Sequence, residues 1–407
     1  VTLGPPTLDG VIRRSVLVLL AAACLAAGLA SPAEARPGQV DPPWVSASSP
    51  SSITLSWLAK AGATHYRVSY ATSYSGVKAS SARVRRTSGR QTSLRVSGLR
   101  SGTMYCFMVA AVSGSGTGAR SQRHCKMTMR VANHTDRRTA GIVTFNLCAR
   151  ASGCHRWDPR LSPIMKRIDE SDADLVALQE ASGRIEQLAA HLETRGFALA
   201  SASGSEALFY RTSRFRLSQK PVADGDPGEL APVAGTWTLS ESGTAAWALL
   251  KETRTGHAVV VGSVHLKNGK TESASAVRRI ETRRLVAKAR FVARENGLPR
   301  SRVVLAGDFN STRNRPSDTP RWELEKYGWH DAYDRSASFT RPYLNSYNGW
   351  DTTPRRSVRY GDHVDRVFLS DAVGSTQWRV VVKVADGKYV TPVASDHSPV
   401  RVTLYLP

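Results

Sequence analysis

The sequence predicts two folded units in series, a small all-β sandwich followed by a layered α/β domain. Three observations carry this. Between Val45 and Met129, short runs alternate apolar and polar side chains and are separated by Ser/Gly-rich turns, which is the period-two pattern of strands. From Gly141 onward, strands alternate instead with segments of helical spacing. The chain, at 407 residues and 41% hydrophobic, is also too long for one ordinary core while keeping the composition of a globular protein.

The first 35 residues read as an export leader. Arg13 and Arg14 precede an apolar run from Val16 to Ala30, and Ala33-Glu34-Ala35 offers a small-x-small cleavage pattern. The mature chain is expected to start near Arg36. That run is shorter than the roughly 20 residues needed to cross a bilayer, and no later stretch is longer. These features predict a secreted protein with no transmembrane segment. With Cys24 removed, Cys106, Cys125, Cys148 and Cys154 remain, an even number for an oxidising compartment. Four cysteines allow three pairings, and Cys106–Cys125 with Cys148–Cys154 is expected because each pair lies within one unit. No CxxC or HxxxH spacing supports a zinc site in their place.

Lys and Arg number 56 against 33 Asp and Glu, a net charge of +23. Between Asp41 and Arg130 there are 13 Lys or Arg and one acidic residue. Such asymmetry points to a polyanionic partner, either nucleic acid or an anionic surface; the alternative is a basic surface without a partner.

Within the first unit, residues 53–57, 66–70, 94–96 and 105–109 are the clearest strands. Pro42-Pro43, Trp57, Tyr66 and above all Leu99-Arg100-Ser101-Gly102-Thr103-Met104-Tyr105 resemble a fibronectin type III domain, here residues 41–130. The resemblance makes Tyr105 the residue whose hydroxyl fixes a crossover and Trp57 a core residue. It places Cys106 and Cys125 on the last two strands, joined by the turn at residues 113–118. A short polar segment, residues 132–138, links this module to the rest.

The second unit spans residues 139–407. Its expected strands are 141–145, 174–178, 207–210, 259–264, 303–306, 364–369 and 400–406. Residues 161–170 have helical spacing. Residues 271–295 form a longer amphipathic helix, with Val277, Ile280, Leu285, Val286 and Phe291 spaced around one side. Polar clusters stand at the ends of these strands: Asn146; Gln179-Glu180; His265; Gly307-Asp308-Phe309-Asn310; Asp362-His363-Val364-Asp365; and Ser395-Asp396-His397. Taken singly, each is an ordinary turn or strand-end feature. Together, polar groups leaving apolar strands at one edge make a convergent site.

In this order the segments Thr-Phe-Asn (Asn146), Leu-Gln-Glu (Glu180), Ser-Val-His-Leu (His265), Gly-Asp-Phe-Asn (Asp308, Asn310), Val-Asp-Arg-Val-Phe (Asp365) and Ser-Asp-His-Ser-Pro-Val (Asp396, His397) resemble the endonuclease/exonuclease/phosphatase superfamily. That superfamily includes pancreatic deoxyribonucleases, abasic-site endonucleases, bacterial sphingomyelinases and inositol polyphosphate phosphatases. The resemblance implies a deoxyribonuclease-like four-layer α/β sandwich and a metal-dependent phosphoric ester hydrolase. It makes His397 the base that activates water and Asp365 its orienting partner. Glu180 and Asn146 become ligands of Mg²⁺, or of Mn²⁺ or Ca²⁺, with Asp396 supporting the metal. Asp308 aligns the water, Asn310 donates to a phosphoryl oxygen and His265 faces the phosphate. Glu206 is a candidate partner for His265, and the loop Ser346-Tyr347-Asn348-Gly349-Trp350 resembles one that flanks the site.

These residue types suit the chemistry. Splitting a phosphate ester requires neutralising the phosphoryl oxygens, which a hard cation on carboxylate and amide oxygens does. It also requires deprotonating water, which suits a carboxylate-steadied histidine. The motifs fix the bond and not the molecule. The positive charge favours a nuclease acting on DNA or RNA. A sphingomyelinase-like phospholipase and a small phosphate-ester phosphatase are the alternatives, followed by a non-catalytic surface-binding protein, for which loss of Glu180, Asp308 or His397 would be the signature. Oligomeric state leaves no sequence signal.

Overall fold

The computed structural model describes residue 1 and residues 35–406, apart from 42, 74, 102, 129–138, 219–231, 242, 299–301, 316, 337 and 358–360. The leader with Cys24, Pro42, Gly102 and the linker 132–138 therefore lie outside the described residues. No helix among the described residues is long and apolar enough to cross a membrane.

The amino-terminal module is a β-sandwich. One sheet joins Trp44–Ser48, Ser52–Ser56 and Ser93–Ser97; the other is built on His65–Ala71 and Met104–Ser113, flanked by Arg83–Arg86 and by His124–Met127. Alternation points Val45, Ile53, Leu55, Tyr66, Val68 and Phe107 into one core, where Trp57 meets Tyr66 edge-on at 5.4 Å. The Tyr105 hydroxyl accepts the Arg100 N–H at 3.0 Å, the crossover bond expected of it. Cys106 and Cys125 are direct cross-strand neighbours, and their disulfide closes this sheet.

The second domain stacks two mixed sheets face to face, with helices outside both. The first sheet runs Phe197–Ser203, Glu206–Arg211, Leu175–Gln179, Thr139–Asn146, Val400–Tyr405, Gly374–Val380 and Ser338–Thr340. The second runs Phe215–Leu217, Thr244–Glu252, Ala258–His265, Val303–Asp308, Asp365–Leu369 and His330–Asp331. Their inner faces share one apolar core that includes Ile142, Ala177, Val261, Ala306 and Val367. Helix Asp158–Ser171 covers the outside of the first sheet, and helix Glu272–Glu295 the outside of the second. This is the expected α/β/β/α sandwich.

The long helix departs from its expected face. Leu285 and Val286 are buried as expected, but Ile280 and Phe291 point to solvent, and the inward stripe contains Arg278, Glu281, Ala289, Val292 and Ala293. The two buried charges have a task that hydrophobic counting overlooks. Arg278 donates to the carbonyls of Lys267 and Gly269 at 2.8 and 2.9 Å, and Glu281 accepts the Lys267 N–H at 2.8 Å. They therefore hold the loop that follows His265.

The module is docked on the α/β domain and does not merely trail from a linker. Trp44–Ser48 pairs antiparallel with Ser338–Thr340, Ala47 opposite Ser338, so the module's sheet continues the first sheet of that domain into ten strands. Phe339 packs against both cores, and Trp44 meets Tyr343 edge-on at 5.9 Å. Lys126 is wholly buried in this interface, donates to the Tyr333 carbonyl and lies 4.9 Å from the centre of the Phe339 ring. Burial, reinforced by nearby Arg313, pushes its ammonium well below the ordinary lysine range.

Lys126→Ala should remove the bond to the Tyr333 carbonyl and open a cavity, at a cost of about 1–3 kcal/mol, whereas Lys126→Met, which keeps the stem packing, should cost less. Chemical denaturation is expected to show this difference within one shared unfolding transition, because the sandwich and the α/β domain bury a common surface.

Candidate active site

Strand register brings the polar clusters to one end of the two sheets. Parallel pairing sets Asn146 opposite Gln179 in the first sheet and His265 opposite Asp308 in the second. The antiparallel strand Asp365–Leu369 begins where its neighbour ends, so Asp365 faces Asp308. Below them Gln179 bridges the sheets, accepting from Thr144 Oγ1 at 3.1 Å and donating to Ser263 Oγ at 2.9 Å.

On one side of the cleft, His397 Nδ1 lies 2.8 Å from Asp365 Oδ2, and its Nε2 lies 3.8 Å from Asp308 Oδ2. Ser346 Oγ accepts the N–H groups of Val364 and Asp365 at 3.0 and 3.1 Å, fixing the start of that strand. Burial alone would lower the His397 pKa, but the carboxylate of Asp365, helped by Asp308 and Asp396, pushes it up to about 10. Burial pushes the Asp365 carboxyl up in turn, and its contact with His397 pulls it back. The carboxylates on this side therefore favour the charged form of the imidazole.

On the other side, Asn146 Nδ2 donates to Glu180 Oε1 at 2.9 Å and to Asp308 Oδ2 at 3.2 Å, while its Oδ1 accepts the Cys148 N–H at 3.1 Å. His265 Nε2 is 3.8 Å from Glu180 and 3.8 Å from Asp308, and its Nδ1 is 3.8 Å from Glu206. The Glu206 pairing is thus present. Glu206 is buried and accepts from the hydroxyls of Ser203, Ser205 and Thr244.

Two expected residues join the cluster differently. Asn310 reaches it through its backbone, donating its N–H to Asp308 Oδ1 at 2.8 Å, while its side-chain amide donates to the Leu266 carbonyl at 3.0 Å. Asp396 stands beside His397, and its carboxylate accepts from Ser395 Oγ; the link from this segment to Asn146 is the bond from Ser395 Oγ to the Asn146 carbonyl at 2.8 Å. His363 lies apart from the dyad. It is wedged against Trp378 and Tyr333, its Nε2 bonds the Leu344 carbonyl at 2.9 Å, and burial holds it down at about 4. It is a structural histidine.

Cys148, Glu180 and Asn310 all have left-handed backbone, with φ of 47°, 52° and 47°. Each costs roughly 1 kcal/mol or more for a residue with a Cβ. The surroundings enforce it. Cys148 is bonded to Cys154, and Arg160, which no sequence signal marked, grips the carbonyls of Leu147, Cys148 and Ala394 at 2.8, 2.8 and 3.0 Å. One buried guanidinium thus ties the loop after Asn146 to the segment before His397.

Among the described residues, only imidazoles stand within ion-pair distance of Glu180 and Asp308. Ligand atoms of Asp308, Asp365 and His397 lie within 4.8 Å of one another. A buried excess of carboxylate with amide oxygen beside it is a donor set suited to a hard divalent cation.

Comparison with known proteins agrees with this geometry. Residues 143–397 match the model of the endonuclease/exonuclease/phosphatase family, and residues 40–125 match that of the fibronectin type III domain. The chain belongs to the endonuclease/exonuclease/phosphatase family. A search of curated proteins finds no match. Similar solved structures include a family member from Bacteroides thetaiotaomicron (20% identity, 66% of this chain and 98% of that one, TM-score 0.50). A mannosyl-6-phosphatase from the same organism is similar too (19%, 66% and 100%, TM-score 0.50), as is the human Nocturnin catalytic domain with bound sulfate (16%, 66% and 95%, TM-score 0.46). At these identities the two Bacteroides structures show the fold alone. Membership in the family, with a buried carboxylate–histidine cluster at the matched motifs, makes the chain a metal-dependent phosphoric ester hydrolase.

In the metal-free protein, ¹⁵N-detected titration should find the His397 imidazole protonated throughout the neutral range, losing its proton near pH 10. Asp365→Asn, which removes the main cause of that shift, should bring the value down toward the ordinary histidine range.

Proposed function

We propose that this chain is an exported phosphodiesterase that hydrolyses nucleic acid in the presence of Mg²⁺, with His397 activating the attacking water. The observation that carries the chemistry is the His397–Asp365 pair facing the Asn146–Glu180–Asp308 group across one cleft. Glu180 and Asn146 would hold the cation, with Asp396 near its waters; when bound, the cation neutralises the phosphoryl oxygens. A cation held there would oppose the protonation of His397 and so favour the neutral imidazole that a base requires. Asp365 keeps Nε2 aimed at the water and stabilises the imidazolium that forms. Asp308 orients that water, and His265, steadied by Glu206, faces the phosphate with Asn310 beside it. Two disulfides support an oxidising destination.

Charge supports the substrate. On the module's edge strand, Arg83, Arg85 and Arg86 are all exposed, and Arg67 is the cross-strand neighbour of Arg86. Like charges crowded on one edge are stabilised by a polyanion through counterion release. Mn²⁺ and Ca²⁺ are alternative ions, and phospholipid and small phosphate esters are alternative substrates that the assay must include.

Glu180→Ala and His397→Ala should each lower turnover by about 10²-fold or more with the fold intact, and chelator should abolish activity. The purified chain should cut single-stranded DNA or RNA with Mg²⁺ and leave sphingomyelin and sugar phosphates intact; the reverse preference would overturn the substrate reading. Replacing Arg83, Arg85 and Arg86 together by Ser should weaken binding to long DNA and flatten its salt dependence, while hydrolysis of a small soluble phosphodiester stays unchanged.

A further inference from the structure

Tyr347 is set beside the reacting centre in a way that serving as packing does not explain. Its ring meets His397 edge-on at 5.1 Å, and its backbone bridges that of His397, yet the residue is 43% exposed. The loop that carries it is fixed from several directions. The Asp396 carbonyl accepts the N–H groups of Asn348 and Gly349 at 2.7 and 3.0 Å. The buried Asn348 side chain donates to the Ser395 carbonyl at 3.0 Å and accepts the Trp350 N–H at 2.9 Å. Trp350 has a left-handed φ of 65° and stacks on His155 at 4.0 Å.

Gly349 completes the arrangement. Its φ is 61°, and a Cβ there would meet the tip of the Tyr347 ring at 3.3 to 3.4 Å. The ring therefore lies over glycine backbone. A rigid, exposed aromatic ring in contact with the catalytic histidine has the properties of a stacking surface, because every nucleobase offers a flat face and ring-on-base stacking needs no particular sequence.

We infer that Tyr347 is the platform on which the base next to the scissile phosphate stacks, a role that rests on the nucleic-acid reading above. It makes the substrate a base-bearing phosphodiester with at least one unpaired base at the cleavage point, since a base within an intact duplex has both faces covered.

The test uses the whole chain with Mg²⁺, a single-stranded oligonucleotide, and the same oligonucleotide with stable abasic sites throughout. Tyr347→Ala should lower kcat/KM on the base-bearing strand by about tenfold or more, and Tyr347→Trp and Tyr347→Phe should largely retain it. On the abasic strand wild type and Tyr347→Ala should be equal, both near the level of Tyr347→Ala on the base-bearing strand. An equal loss on both strands would mean that Tyr347 acts through His397 and would overturn the stacking role, as would no loss on either. Wild type that leaves both strands intact while cleaving another phosphoester would overturn the nucleic-acid reading itself, and the stacking role with it.

Discussion

Asp365 is a carboxylate with no exposure to solvent, and the architecture of the site follows from making such a charge tolerable. Leaving it unpaired would cost several kcal/mol. The chain answers with His397 at 2.8 Å on one oxygen and with Ser346, which anchors the backbone N–H groups at and before Asp365. Ser346 in turn belongs to the loop whose later residues bond the Asp396 and Ser395 carbonyls. The segment bearing His397 and the loop bearing Tyr347 therefore meet at the same residue, one through its carboxylate and the other through its backbone. The next residue, Arg366, is equally constrained: it is buried between Asp318 and Asp331 at 2.8 and 2.9 Å, so the strand start is held from both of its faces.

Across the cleft the balance runs the other way. Glu180, Asp308 and Glu206 confront His265 at 3.8 Å each, a geometry of attraction without direct hydrogen bonds. Three carboxyl groups crowd one imidazole here, whereas a phosphate ester requires positive charge in the same place. A divalent cation held there would meet both demands, and its charge would favour the neutral imidazole that the proposed base role of His397 needs, so the proposed metal dependence and the proposed histidine mechanism are one electrostatic problem.

The clustered polar residues are legible because each follows or opens an apolar strand, and parallel or antiparallel register carries strand ends to a common edge. Asn146, His265 and Asp308 are clear cases. What escaped depends on contacts distant in sequence. Arg160 on an amphipathic helix reads as a solvated charge, and its carbonyl partner Ala394 is 234 residues away. The inward face of the long helix was misjudged at Ile280 and Phe291 because Arg278 and Glu281 spend their polarity on the His265 loop, which no periodicity can reveal. The bonds that seat Asn310 are also invisible in sequence: its left-handed backbone brings its side-chain amide to the Leu266 carbonyl and its N–H to Asp308.

The docking of the module was the least visible feature, and it changes what the module's charge can do. Lys126 and Phe339 look unremarkable in sequence, one a strand lysine and the other an aromatic in a short strand, yet they meet in a buried interface and share it with Tyr333. From Tyr333 the path to the cleft is short: its N–H is accepted by Asp331, which binds Arg366, the neighbour of Asp365. A basic sandwich on a flexible tether would raise the local concentration of a polyanion without orienting it. A sandwich whose strands continue the first sheet of the second domain holds its arginine-rich edge in a fixed relation to the cleft, so the polyanion of the proposed function would be presented in a limited set of directions and not simply become more frequent nearby. The same attachment explains why charge, rather than the whole module, is the part that can be removed cleanly: stripping the sandwich away would open Phe339 and Tyr333 to water and unpair a sheet edge, and the loss would register as instability before it registered as binding.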